Sequence, residues 1–265
     1  MSTATRSRSF WQLVLLRSWL PILLLLIWWF GSANSESLYF PSLQEILHTL
    51  RVDWLGNGFA QHLLPSLGKF LAGFLIAAAL GIGLGLLIGL SRTLMDLTEP
   101  IIQFLRSLPP PVLLPIGLLL FGIGPAMNIA IIAFGAMWPT LLNTVDGVRS
   151  LDGELREMSR SYRLSFSQRL RFVVLPHASP QIFAGLRTTL QISIILIVVA
   201  EMVAATQGVG FYLLNSQQTF EVAETWAGTL LLGGIGYLTT LVFNMVEASI
   251  LSWHRQRNQL ALEAA

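Results

Sequence analysis

The sequence predicts an all-α membrane protein of about six transmembrane helices, and three observations lead there. Of its 265 residues 54% are hydrophobic and only 11% charged, whereas a soluble globular chain carries about 25% charged residues. The Val, Leu, Ile, Phe, Ala and Gly are gathered into long runs, several of the roughly 20 residues that cross a bilayer core as a helix. A strand-built barrel would show short alternating segments instead. The absence of cysteine excludes disulfides, thiolate metal sites and cysteine nucleophiles. A net charge of +2 raises nucleic acid as a partner, but the basic residues follow membrane topology and no nucleic acid is expected.

The first span, about 11–31, follows Arg6 and Arg8 and precedes the polar stretch Ser32 to Ser37. Its length and the aromatic pair Trp28 and Trp29 at the far end point to an uncleaved helix rather than a signal peptide. Arg17, near the entry side, reaches the headgroups by its flexible stem. Residues 32 to about 65 read as an external loop, with Pro41 and Pro65 as breaks and an amphipathic stretch from Leu43 to Leu50. The second span, about 66–90, carries Gly81, Gly85 and Gly89 four apart on one face, where small residues allow close helix approach. They are no nucleotide-binding loop. That loop ends Gly-Lys-Ser/Thr to cradle phosphate, and the only lysine stands in Gly68-Lys69-Phe70.

The third span, about 100–121, contains Pro109, Pro110, Pro111 and Pro115, which remove backbone donors, so the helix must be broken or kinked. Irregular backbone at membrane depth is tolerated in packed protein or beside a watery cavity. Pro109 and Pro110 are therefore either pathway residues or a packing kink. The fourth span runs about 127–145, after a turn with Gly122, Gly124 and Pro125. A polar loop over about 146–180 leads to the fifth span, about 181–205. A further loop with Gly208, Gly210, Glu221 and Glu224 leads to the sixth, about 226–253. The core bundle is expected over 66–253, within one transmembrane domain covering 1–265.

Charge orients this bundle. Arg6, Arg8, Arg92, Arg149, Arg156, Arg160, Arg163, Arg169, Arg171, Arg255 and Arg257 fall on one side, while the opposite loops hold only Arg51, with Lys69 at a helix entrance. The excess of basic residues on cytoplasmic loops then places both termini and the 146–180 loop in the cytoplasm. No loop is long enough for a soluble domain, so any nucleotide-hydrolysing or solute-capturing domain must be another chain.

The 146–180 loop holds the most informative pattern. Leu155, Met158 and Tyr162 recur at helical spacing among Arg149, Arg156, Arg160 and Arg163. The result is a short amphipathic helix, which either docks its apolar stripe in a partner's groove or lies on anionic headgroups. The segment resembles the signature loop of binding-protein-dependent ABC importer permeases: Glu-Ala-Ala, three residues, Gly, nine residues, then Ile-x-Leu-Pro. Glu157, Leu175 and Pro176 match at the right spacing, Val173 replaces the isoleucine, and Met158 and Ser159 stand where the alanines would be. Arg163 occupies the glycine position, where glycine suits a bend between two helices. The stretches 105–110, 121–124, 141–148 and 200–210 are similar to the nitrate, sulfonate and taurine branch of that family.

The resemblance implies a type I ABC importer permease fold with a coupling helix between spans four and five, formed by Leu155, Glu157, Met158, Tyr162, Arg163, Leu175 and Pro176. It further implies a multi-pass protein of the bacterial inner membrane and two permease copies. Two cytoplasmic ATPase subunits would hold ATP and Mg, this chain binding no cofactor and being no enzyme itself. An external or periplasmic solute-binding protein would deliver a small anion such as an organosulfonate, taurine or nitrate.

Within the spans, Glu201 is the one acid deep in an apolar run, and such a group is expensive enough to mark function by default. It either caps backbone and pairs structurally, or gates the pathway. Gln191 and Ser193 are candidates to face a substrate cavity, while Asn244 and Glu247 read as packing or snorkelling residues. The four histidines, His48, His62, His177 and His254, have no metal-ligand spacing. The rival function is a self-contained secondary transporter or channel, in which Glu201 relays protons.

Overall fold

A computed structural model describes residues 10–35 and 37–252. Arg6, Arg8, Trp253, His254, Arg255 and Arg257, and the side chain of Arg17, lie outside the described residues. The chain begins with α1 (Phe10–Ser32), α2 (Leu43–Trp54), a π turn (Phe59–Leu63) and α3 (Leu64–Leu90). There follow α4 (Arg92–Ser107), a 3₁₀ turn (Pro110–Leu113), α5 (Leu114–Phe121) and α6 (Pro125–Arg149). It continues with α7 (Gly153–Ser161), α8 (Phe166–Arg169), a second π turn (Leu170–Val174), α9 (Leu175–Ala204), α10 (Val209–Gln218) and α11 (Val222–Ile250).

Two prolines expected to bound loops lie inside helical runs instead. Pro65 and Pro176 each come two residues after a five-residue π turn, so the runs Phe59–Leu90 and Phe166–Ala204 are continuous. The physical reason is local. A proline has no N–H and its ring presses on the carbonyl four residues back, and the wider i→i−5 turn relieves both defects. The external loop therefore ends at about residue 58 rather than 65. The loop after α6 shrinks from 146–180 to the segment around α7. Similarly, the loop after span five is mostly the helix α10.

The centre of the fold is α3, α6 and α9. Cβ atoms built at Gly81, Gly85 and Gly89 would approach the Cβ of Thr140, Thr144 and Val148 to 2.8, 2.6 and 2.9 Å. The glycine stripe thus does what its spacing predicts, and its partner is α6. The constant offset means that α3 and α6 run parallel. By contrast, Gly135 meets Leu196 while Gly185 meets Thr140, so α9 runs antiparallel to α6. Buried hydroxyls join these helices, with Thr140 and Thr189 at 2.7 Å and Thr189 donating to the Ala136 carbonyl at 2.8 Å.

Parallel α3 and α6 settle the third span. The chain leaves α3 at one end of the bundle and must enter α6 at the other, so residues 91–124 return across its thickness. They do so as α4 and α5 bent by 88°, with extended backbone at Leu108 and Pro109. The break predicted from the prolines is present, but the helix starts at Arg92, not Pro100. Among the described residues four helices are individually long and apolar enough to cross a membrane, and the bent pair makes five. The sixth expected span corresponds to α1, which is 23 residues and hence about 34 Å long at 1.5 Å per residue, although its apolar part, Trp19–Ser32, is shorter than the other spans. Among the described residues α11 buries only Ala227 and Gly228, leaving most of its surface for lipid or another subunit.

Candidate functional site

Three places on this scaffold carry polar chemistry. At the end of the bundle where α3 and α6 begin, Glu201 is 1% exposed and fully engaged. Its Oε1 lies 2.5 Å from Lys69 Nζ, Ser66 Oγ approaches both carboxylate oxygens at 2.7 and 2.8 Å, and the Gly210 amide donates to Oε2 at 3.0 Å. The Val209 amide donates to Ser66 Oγ at 2.8 Å, and Lys69 Nζ also donates to the Gln207 carbonyl at 3.3 Å. The free N–H groups that open α10 thus close on a carboxylate held between α3 and α9. Gly208 has φ +131, and a Cβ there would lie 2.4 Å from the carboxyl carbon; only glycine serves this corner. This geometry favours the structural role, the first of the two sequence readings of Glu201. As a proton relay it would need an open path, which its burial and three partners disfavour.

Lys69 and Ser66 escaped the sequence reading as partners. The signal was available: Ser66 and Lys69 are three apart on one helical face, at the end of the bundle that also holds Glu201. Arg187 was likewise missed. It pairs with Glu247 at 2.5 Å, so Glu247 clamps α11 to α9 rather than snorkelling.

Pro110 and Gly135 meet midway along the bundle, the proline ring filling the space a side chain would take at position 135. Beside them a cavity of about 420 Å³ is lined by Arg106, Leu108, Pro110, Pro111, Trp138 and Ile195, among others. Pro109 is exposed at the break, and Gln191 is exposed one turn before Ile195 on the same face of α9. The candidates Pro109, Pro110 and Gln191 thus gather around one side of the bundle, whereas Ser193 is buried and donates to the Thr189 carbonyl at 2.8 Å. Ser193 is a packing residue.

The third place is α7. Leu155 is half-buried and Ser159 is 1% exposed, while Met158 and Tyr162 are 45% and 75% exposed. The predicted apolar stripe is therefore split into an inner and an outer part. Leu175 and Pro176 are not in the outer part. Leu175 packs against Val148, Val174, Ala178 and Ile182, and both residues belong to the long helix. Glu157 and Arg163 are exposed.

Arg163 explains the glycine of the pattern it departs from. It has φ +50, and the Leu164 amide donates to the Ser159 carbonyl while the Arg163 amide donates to that of Arg160. This pair of bonds is the glycine-type helix ending, here built with arginine. A left-handed non-glycine residue costs about 1–2 kcal/mol. Arg163→Gly is expected to stabilise the protein by about 0.5–1 kcal/mol after allowing for glycine's freer unfolded chain, and Arg163→Val to destabilise it. Thermal unfolding of the purified protein checks both, and a lower midpoint for Arg163→Gly would refute the strain. Among the described residues no three His, Asp or Glu side chains converge as a metal site requires.

Comparison with known proteins places this geometry. Residues 81–252 match the model of the binding-protein-dependent transport system inner membrane component family. The chain is 31% identical over 250 residues to the aliphatic sulfonates transport permease protein SsuC of Bacillus subtilis (strain 168), covering 94% of this chain and 90% of that one. It is 36% identical over 185 residues to the bicarbonate transport system permease protein CmpB of Synechococcus elongatus, covering 69% and 66%. The fold superposes on the MetNI methionine ABC transporter, in inward-facing conformations, with a TM-score of 0.62 and 20% identity over 71% of this chain and 94% of that one. The chain belongs to the binding-protein-dependent transport system inner membrane components, in the nitrate, sulfonate and taurine branch, and is a permease subunit of an ABC importer.

Proposed function

We propose that two copies of this permease form the translocation pathway for a small oxyanion, an organosulfonate first. Two ATPase chains binding ATP and Mg dock on the two α7 helices, and a solute-binding protein docks at the opposite face. The observation that carries this reading is the outer surface of α7. Met158 and Tyr162 stand exposed on a helix whose Leu155 and Ser159 are half-buried and buried, and apolar groups at the tip of a charged element mark a protein contact. The arginine asymmetry supports a cytoplasmic α7 and cytoplasmic termini. The sulfonate and bicarbonate named for two relatives share a small, singly charged, oxygen-rich headgroup, which supports the substrate class.

Movement follows from that contact. When ATP closes the ATPase dimer, α7 moves with its groove, and the ending at Arg163 transmits that motion to α8 and the continuous helix α9. A loaded binding protein favours the outward-facing state by binding it more tightly. Membrane vesicles holding the assembled complex with ATP on the α7 side should import an alkanesulfonate only when its binding protein is present outside. Import driven by a proton gradient through this chain alone would refute the reading.

A further inference from the structure

Five arginines surround one pocket at the α7 end of the bundle, and among the described residues no carboxylate pairs with them. Arg92 opens α4, Arg149 closes α6, Arg156 and Arg160 lie on α7, and Arg169 closes α8. Together with Gly89, Leu90, Val148, Leu151 and Val174 they line a cavity of about 240 Å³. Among the described residues the ion pairs are Lys69–Glu201 and Arg187–Glu247 alone, so none of the five guanidinium groups is paired with a described carboxylate. The acids of this region, Asp146, Asp152, Glu154 and Glu157, are exposed and form no ion pair with them.

Five like charges around one cavity repel one another unless an anion sits among them. We propose that the pocket binds a phosphate-type oxyanion, which bridges α7 to the ends of α3 and α6. Three features select this chemistry. Planar guanidinium forks match tetrahedral oxyanions in geometry and hold them through paired charge-assisted bonds. The cavity is several times the about 30 Å³ taken by one water, enough for a phosphate group with some of its hydration. Leu90 and Arg149 are the last residues of two spans, so the pocket opens at headgroup depth, where basic pockets between helices meet acidic lipids. The ligand is thus the phosphate of an acidic lipid or free inorganic phosphate. The lipid source rests on the cytoplasmic orientation proposed above, whereas the affinity for phosphate does not.

The test uses the intact transporter complex and the double variant Arg92→Gln/Arg149→Gln, which leaves α7 untouched. Native mass spectrometry after reconstitution in phosphatidylcholine containing phosphatidylglycerol should show the acidic lipid retained by the parent. Inorganic phosphate titrated into the complex in a neutral detergent should raise its thermal midpoint if free phosphate is the occupant. In the variant the dissociation constant for the bound species should rise about tenfold or more, the loss of one or two charge-assisted bonds. If the double variant does not fold, Arg92→Gln alone is measured and should show a smaller rise in the same direction. External maleimide labelling of a Ser167→Cys protein separates the two readings, since labelling would overturn the orientation and the lipid source while leaving the phosphate titration to stand. A parent that binds neither probe more tightly than the variant overturns the proposal. So does a variant with unchanged anion binding that loses the ATPase, for the arginines would then be a protein contact.

Discussion

Glu201→Ala is expected to deprive the cell of folded permease rather than merely to slow transport. Removing the carboxylate leaves the Lys69 ammonium, 8% exposed, with only the Gln207 carbonyl for company. It also leaves the Ser66 hydroxyl proton and the Gly210 amide without an acceptor. Breaking one side of a buried ion pair costs about 3–5 kcal/mol, a large part of the roughly 5–15 kcal/mol that holds a domain together. The corner joining α3, α9 and α10 should open. Membrane abundance and the monodisperse fraction after extraction should fall at least several-fold, and Glu201→Gln should be milder because its amide still accepts from Ser66. Lys69→Met combined with Glu201→Leu should recover abundance, since exchanging a whole buried pair for apolar groups is far cheaper than halving it. If Glu201→Ala is made at normal level and loses only transport, the residue is a gate and the structural role is wrong.

Met158→Asp should show the converse pattern, normal abundance with the partner lost. Met158 is 45% exposed, so the isolated chain tolerates a charge there. In the assembled transporter the same charge would be buried without a partner, which costs several kcal/mol and so lowers ATPase affinity by more than about tenfold. Co-purification of the ATPase and ATP-dependent import are the measurements. Glu157→Ala should reduce coupling while leaving insertion unchanged, because Glu157 is exposed and makes no ion pair among the described residues. Ser159→Leu provides the contrast. Ser159 is 1% exposed and donates to the Arg156 carbonyl, so enlarging it should displace its surroundings and lower stability as well. Should Met158→Asp keep both its ATPase and its transport, α7 is a lipid-facing surface.

Much of this architecture is legible in the sequence because membrane helices declare themselves by length and apolarity, and the glycine stripe by its spacing. The arginine at the glycine position was legible as a departure, and the structure shows the left-handed backbone that makes glycine common there. Helix ends were misplaced wherever proline was taken as a stop. The sequence shows the missing N–H of Pro65 and Pro176, but not the π turn that accommodates it, because that turn is a backbone adjustment with no side-chain signature. The Leu155, Met158 and Tyr162 stripe was found as a unit, yet periodicity cannot say how far a helix sinks into its seat.

A multi-span helical protein, the break near Pro109, the helix-packing stripe at Gly81, Gly85 and Gly89, and the short amphipathic helix around Met158 all follow from the sequence alone. Each of these depends on residues near one another in the chain, through length, local backbone chemistry or helical period. The tertiary structure alone decided that α3 and α6 run parallel and thereby force α4 and α5 to cross, and that Glu201 closes on Lys69 and Ser66. It also decided that Met158 faces outward while Ser159 faces in, and that five arginines from four separate elements share one pocket. Those outcomes join residues as far as 135 positions apart, and only the packing of helices against one another brings such residues within reach.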